Sequence, residues 1–321
     1  MRTLRRLAVA AVAVLLLILL GSFSGNQPKR DAVAAAEQQL GMKLESRRVN
    51  LGAVSLNVVF AGPPDGPPVV LLHGFPEFWY AWYRQMGKLE QAGFRVIVPD
   101  QRGYNLSDKP PEVSDYRIDK LASDVAGLIE TLGYDKAFVA AHDWGGGVAW
   151  QLAMHHPGRV RKLVIFDTPH PQASRDATTK EDKVDWFRTF FQIPWLPQWV
   201  GRLANWRLLS NALRNTSRPG AFPDEKMDLY RSAWDNDGAM STMINWYRAA
   251  FRYPWPDAVR VSVPTLLVVA PHDAFIAGDL SRASIKYLDD GRLIELPEGT
   301  HWILQEDPEG TSKILIDYFS E

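Results

Sequence analysis

The stretch from Val139 to Val148 reads Val-Ala-Ala-His-Asp-Trp-Gly-Gly-Gly-Val, and it leaves the backbone few choices. An apolar, strand-like run from Lys136 to Ala141 enters it, and a helix-like run from Val148 to His155 leaves it. A sharp strand-to-helix turn fits between them, with Asp143 at its apex and lifted clear of the sheet edge. Ala141, Gly145 and Gly146 are small because strand and helix backbones pass very close at such a turn. Most turns of this kind carry serine, which needs a base before it can attack. An aspartate side chain is already anionic at neutral pH. Asp143 therefore predicts attack on a saturated carbon, as in an epoxide or an alkyl halide. The plainer alternative is an aspartate that caps the helix it precedes.

The rest of the chain supplies a matching framework. Alternation in Ser46–Asn50 and Val54–Ala61 predicts a hairpin of two strands. Apolar runs bounded by Gly or Pro predict buried parallel strands at Val69–Leu72, Val96–Val98, Ala137–Ala140 and Val160–Phe166. Helical patterns such as Ile118–Leu132 lie between them, so an α/β class with a mostly parallel sheet follows. From His170 to about Pro256 the texture becomes rich in Trp, Phe, Arg and Asn, without convincing strands, which predicts a helical insertion. Thr265–Ala270 and Leu293–Leu296 then restore strands, and Pro308–Phe319 a last helix. The expected division is a leader over 1–25, a connector over 26–44 with one short helix, a core over 45–169 and 257–321, and a helical cap over 170–256. No internal repeat is visible.

Composition narrows the chemistry. Of 321 residues 46% are apolar, enough for a sizeable core. The net charge is −1, falling to −4 without Arg2, Arg5 and Arg6, and no basic stripe suggests a nucleic-acid partner. Cysteine is absent, which excludes disulfide scaffolds, zinc–cysteine sites and thiol nucleophiles. No His-Glu-x-x-His spacing exists, and neither metal nor cofactor is expected. Twelve tryptophans suit an aromatic-lined pocket as well as ordinary core packing. Arg2, Arg5 and Arg6 before an apolar run from Leu7 to Leu20, then small residues at Ser22 and Ser24, read as a signal peptide or a retained membrane anchor. The run is short for a span, which needs about 20 residues. In either form the positive-inside bias predicts an exported or membrane-anchored protein, with membrane contact only through this segment.

In an open α/β sheet the site forms at the carboxyl ends of the strands. After Val69–Leu72 comes His73-Gly74-Phe75-Pro76-Glu77, whose Phe75 N–H can converge with that of Trp144 as an oxyanion hole. A cis bond before Pro76 would suit that loop. Asp273 follows the strand Thr265–Ala270, and His301 lies in a Gly-containing loop after the next strand. Attack by Asp143 leaves an ester that water must cleave. His301 would deprotonate that water, and Asp273 would orient and support the imidazolium. Asp167, at the end of Val160–Phe166, is a rival for the acid role.

The segments His73-Gly-Phe-Pro-Glu-Phe-Trp-Tyr, Asp100-Gln-Arg-Gly-Tyr-Asn-Leu-Ser-Asp-Lys-Pro, His142-Asp-Trp-Gly-Gly and Asn245-Trp-Tyr-Arg together resemble the epoxide hydrolases of the α/β-hydrolase fold. The resemblance runs from about Ser46 to the C-terminus. It implies a small apolar epoxide and water as substrates, and two cap tyrosines that hydrogen-bond the epoxide oxygen and protonate it. Tyr247 matches one. The other lies in relatives shortly before a Phe-Gln-x-Pro stretch, here Phe191-Gln192-Ile193-Pro194, and the matching position is Phe187. Phenylalanine donates neither proton nor hydrogen bond, so ring opening would rest on Tyr247, helped by water or the Trp186 indole. Trp186 and Phe187 are accordingly expected in the substrate pocket.

Three other readings remain open on the sequence. A haloalkane dehalogenase shares the aspartate nucleophile but needs N–H donors for a departing halide, for which Trp144 and Trp186 would serve. Fluoroacetate-type dehalogenation fits less well, since Trp144 stands where that group's carboxylate-binding Arg motif begins. A non-catalytic binding module would keep the apolar pocket and lose the chemistry. A Phe187→Tyr substitution is expected to raise epoxide turnover, measured as diol release; unchanged turnover would count against the alignment at that position.

Overall fold

The computed structural model describes residues 30–177, 186–202 and 205–321. The leader and the first residues of the connector lie outside them. Eight strands form one sheet: β1 (Glu45–Asn50), β2 (Ser55–Ala61), β3 (Pro68–Leu72), β4 (Arg95–Pro99), β5 (Ala137–His142), β6 (Val160–Phe166), β7 (Thr265–Val269) and β8 (Gly291–Glu295). Their spatial order is β1-β2-β4-β3-β5-β6-β7-β8. The hairpin β1–β2 joins the sheet antiparallel through β4, and β4 to β8 pair in parallel.

The central strands are continuous apolar runs because helices cover both faces of a parallel sheet. Leu71, Val139, Leu163 and Val269 are fully buried. β8 is the edge and is mostly exposed. It begins two residues earlier than the hydrophobic pattern suggests, because the ladder to β7 runs from Thr265–Gly291 to Val269–Glu295 whatever the side chains. An edge strand tolerates charge, and Arg292 and Glu295 pair there with Glu321 and Arg282.

The order of the strands decides where a site can form. From β3 the chain goes to its neighbour β4, then crosses to β5 on the other side of β3 and continues outward to β8. Loops leaving β3 and β5 diverge, and the crevice between them opens at the carboxyl ends of the strands. The connector is not a free tether. Asp31 caps the helix Ala32–Leu40, and Gly41 ends it in a left-handed conformation. Gln39 bonds the Tyr80 and Tyr83 hydroxyls. Arg30 pairs with Asp228 at 2.9 Å.

Between β6 and β7 the described residues form six helices and no strand: Pro171–Asp176, Trp186–Phe190, Leu196–Arg202, Arg207–Asn215, Asp224–Trp234 and Ala239–Arg252. Indole N–H groups fasten this layer to the sheet's loops. Trp234 donates to the Pro76 carbonyl at 2.6 Å and Trp246 to the Arg102 carbonyl at 3.0 Å. The Thr242 hydroxyl donates to the Gly103 carbonyl at 2.5 Å. No helix of the described residues is long and apolar enough to cross a membrane.

At the head of helix Trp144–His155 the chain runs against β3. A Cβ on Gly145 would stand 2.6 Å from the His73 carbonyl oxygen and closer still to that of Leu72. Gly127, in helix Ile118–Thr131, has open space where its Cβ would go. Gly145→Ala should therefore destabilise by about 1–3 kcal/mol through overpacking. Gly127→Ala should stabilise by about 0.5–1 kcal/mol through helix propensity. Urea unfolding of the two variants checks the opposite signs.

Candidate active site

Asp143 joins β5 to helix Trp144–His155 with φ 50° and ψ −124°. That region is sparsely populated for any residue with a Cβ, and holding it costs about 1–3 kcal/mol. The side chain makes no hydrogen bond to its own helix, so the capping alternative fails. It reaches across the crevice instead, where Oδ1 accepts from the Phe75 backbone N–H at 2.7 Å. Gly74 makes this possible, since a Cβ there would lie 2.8 Å from the Asp143 carboxyl carbon. The Phe75–Pro76 bond is cis. Trp144 opens the helix, so its N–H is among the first-turn donors with no intrahelical acceptor.

The other carboxylate oxygen, Oδ2, stands 3.7 Å from His301 Nε2. His301 Nδ1 lies 2.7 Å from Asp273 Oδ2. Asp273 is itself fixed, its Oδ1 accepting from the N–H groups of Phe275 (2.6 Å) and Ile276 (2.9 Å). Asp143, His301 and Asp273, which follow three different strands, thus meet in one line. Asp167 does not join it. It lies buried behind, with Oδ1 accepting from the Ala270 N–H at 2.5 Å.

Charge in this corner is dominated by the carboxylates around His301. Burial alone would lower the pKa of His301, but Asp273, Asp143 and Asp167 outweigh it and raise the value to about 9. Burial works to raise Asp273, while the His301 charge and the two backbone donors hold it below the usual carboxylate range. Burial and the neighbouring Asp273 push Asp167 well up, which favours its neutral form.

Tyr247 lies on helix Ala239–Arg252 above the carboxylate. Its ring packs edge-on against Phe75 (5.1 Å), Trp144 (4.9 Å) and Phe191 (5.0 Å). Phe187 lies 5.8 Å from Tyr247 and 6.2 Å from Phe275, whose ring in turn touches His301 at 5.0 Å. The position expected to hold a second phenol is therefore beside the first. Trp186 is not brought to the carboxylate. It is 67% exposed and packs against Phe187 and Phe190, because consecutive helical residues point to different sides.

The structure adds a layer that the sequence did not expose. His142, one residue before Asp143, packs its ring 4.7 Å from that of His301. Its Nδ1 is 3.6 Å from the buried Glu77 carboxylate. Glu77 Oε1 accepts from the Tyr230 hydroxyl (2.7 Å) and from Gln305 Nε2 (3.0 Å). Burial works to raise Glu77, but His142, Tyr230 and Lys226 outweigh it and hold it low. His142 and Glu77 both lie in segments that carry the family resemblance, but nothing in their spacing showed that they meet. Among the described residues no three His, Asp or Glu side chains gather as a metal site requires.

Residues 67–308 match the family model described as the alpha/beta hydrolase fold, and the chain belongs to that family. Within it the chain belongs with the epoxide hydrolases. It is 34% identical to Epoxide hydrolase 1 of Caenorhabditis elegans, over 83% of this chain and 68% of that one. It is 39% identical to the AB hydrolase superfamily protein YfhM of Bacillus subtilis (strain 168), over 84% of this chain and 96% of that one. The solved epoxide hydrolase of Bacillus megaterium in complex with an inhibitor superposes with a TM-score of 0.77 at 26% identity, covering 86% of this chain and 100% of that one.

A raised histidine pKa has a definite sign. His301 contributes stability that is full below about pH 6.5 and is lost as pH rises through about 9. Asp143→Asn removes one of the charges that raise it. NMR titration should place the His301 imidazole near 9 in the wild type and lower in Asp143→Asn; equal values in the two proteins would refute the coupling.

Proposed function

We propose that this chain is an epoxide hydrolase that converts an apolar epoxide to a vicinal diol through a covalent Asp143 ester. The observation that carries the reading is the division of labour between the two oxygens of one carboxylate. Oδ1 is held by the Phe75 N–H, and Oδ2 faces His301 across 3.7 Å. The names of the epoxide hydrolase relatives support the same substrate class.

In the first step Asp143 Oδ2 bonds to the less hindered epoxide carbon and the C–O bond breaks. The ring oxygen keeps the electron pair and takes a proton from Tyr247, since a departing alkoxide is far too basic to leave unassisted. The resting imidazolium of His301 is the source from which that phenol recovers its proton. Esterification also removes the negative charge of Asp143, which lowers the pKa of His301 and leaves it free to act as a base. In the second step His301 deprotonates water, which adds to the Asp143 carboxyl carbon. The developing negative charge falls on Oδ1, already facing the Phe75 N–H and the first-turn donor of Trp144. Collapse expels the diol alkoxide, which takes the carboxyl proton and leaves Asp143 ionised and His301 charged. Asp273 orients the imidazole and stabilises its cation throughout. Phe187, Phe191, Phe75 and Trp144 line an apolar wall that suits an apolar substrate.

Phe187 beside Tyr247 favours a second reading, a haloalkane dehalogenase with the same Asp143, His301 and Asp273. Trp186 would then be the natural second halide donor, and its exposure on the surface counts against it. Halide release against diol formation separates the two. The leader supports export or membrane attachment, with the hydrolase on the far side from the cytoplasm.

A single turnover of styrene oxide in heavy-oxygen water tests the mechanism. Mass spectrometry should find the label in the Asp143 carboxylate and none in the first-turnover diol; direct attack by water would reverse the pattern. His301→Gln should form the ester and fail to release it, and sustained turnover in that variant would sink the assignment.

A further inference from the structure

We propose that the Tyr104 hydroxyl is the second phenol at the epoxide oxygen, acting from the floor of the crevice in place of the one missing at position 187 of the lid. This rests on the epoxide hydrolase reading above.

Tyr104 belongs to the Asp100–Pro110 segment after β4, whose loop also opens at the carboxyl edge of the sheet. Gly103 turns the chain there with φ 89°, and its carbonyl is tied to Thr242 on the helix that bears Tyr247. The Tyr104 ring is clamped edge-on between His73 (4.7 Å) and Trp246 (5.2 Å). Both neighbours are one step from the chemistry. His73 precedes Gly74, which abuts Asp143, and Trp246 precedes Tyr247. The side chain is 1% exposed, and among the described residues its hydroxyl has no hydrogen-bond partner.

A buried hydroxyl without a partner is destabilising, and phenylalanine would fill the same volume without that penalty. A ligand oxygen is the kind of partner that resolves it. Burial first, then the nearby charges of Tyr247 and Asp143, push the pKa of Tyr104 well up. Tyr104 therefore keeps its proton. The geometric link to the nucleophile and the other phenol runs through His73 and Trp246, the ring's two neighbours. In the ring-opening step Asp143 Oδ2 bonds to carbon, the C–O bond breaks, and Tyr247 transfers its proton to the oxygen. Tyr104 donates a hydrogen bond to that oxygen and transfers nothing, so the proton balance is unchanged.

The test is single-turnover kinetics on styrene oxide, with ester formation and ester hydrolysis resolved, for the wild type, Tyr104→Phe, and Tyr104→Phe combined with Phe187→Tyr. Tyr104→Phe should slow ester formation about tenfold or more, leave ester hydrolysis at the wild-type rate, and keep or raise the melting temperature. Adding Phe187→Tyr should restore ester formation, with a larger gain than the same substitution gives in the wild type. Ester forming equally fast in wild type and Tyr104→Phe overturns the inference alone. A lowered melting temperature with both steps slowed alike makes the hydroxyl structural and also overturns it. A wild type that forms no ester with the epoxide overturns the epoxide hydrolase reading, and this inference with it.

Discussion

One hydrogen bond, from the Phe75 N–H to Asp143 Oδ1, joins the loop after β3 to the turn after β5 and organises the whole site. It exists because two backbones approach where no Cβ fits, at Gly74 and Gly145. The bond holds the carboxylate off its own helix and compensates for a strained backbone at Asp143. It also separates the two oxygens, since Oδ1 is held by the Phe75 N–H and Oδ2 is left facing His301. Because β3 and β5 are neighbours at the point where strand order reverses, the same constraint that builds the turn also opens the crevice above it.

Around that carboxylate the energetic problem is an excess of negative charge in a buried corner. Asp143, Asp167 and Asp273 surround one imidazole, and the protein settles the conflict by protonation. His301 carries the positive charge, Asp273 stays ionised against it, and Asp167 favours its neutral form. The arrangement depends on the charge of Asp143, which is one of the three that raise the His301 pKa. The protonation of His301 is therefore tied to the charge of the carboxylate it faces. The Glu77–His142 pair behind it, linked through Tyr230 to the helical layer and through Gln305 to the helix Ile303–Glu306, couples the packing of three segments to the same ring.

The helical layer explains the tryptophan content. Buried indoles supply large apolar area together with one directional N–H, and Trp234 and Trp246 use it to dock on carbonyls of the sheet's loops. Trp246 thereby positions its neighbour Tyr247, just as Tyr104 is held between Trp246 and His73. Trp186 shows the limit of reasoning by adjacency. It stands next to Phe187 in sequence, yet the helix turns one ring toward Tyr247 and the other to solvent.

Local pattern determined much of this protein. The strand–Asp143–helix turn, the alternation of apolar runs and helices, and the positions of Phe75, Asp273 and His301 just past strand ends were all legible, because each depends on short-range periodicity and on glycine where backbones crowd. Tertiary structure decided what depends on distance. It gave the imidazole to Asp273 and withheld it from Asp167, although each follows a parallel strand. It placed Glu77 beside His142 across 65 residues of chain, and packed Tyr104 against Trp246 of the helical layer. Sequence spacing specifies which residues stand at the sheet's carboxyl edge. Which of them touch is set by strand order and by the docking of the helices above, and those are properties of the folded chain alone.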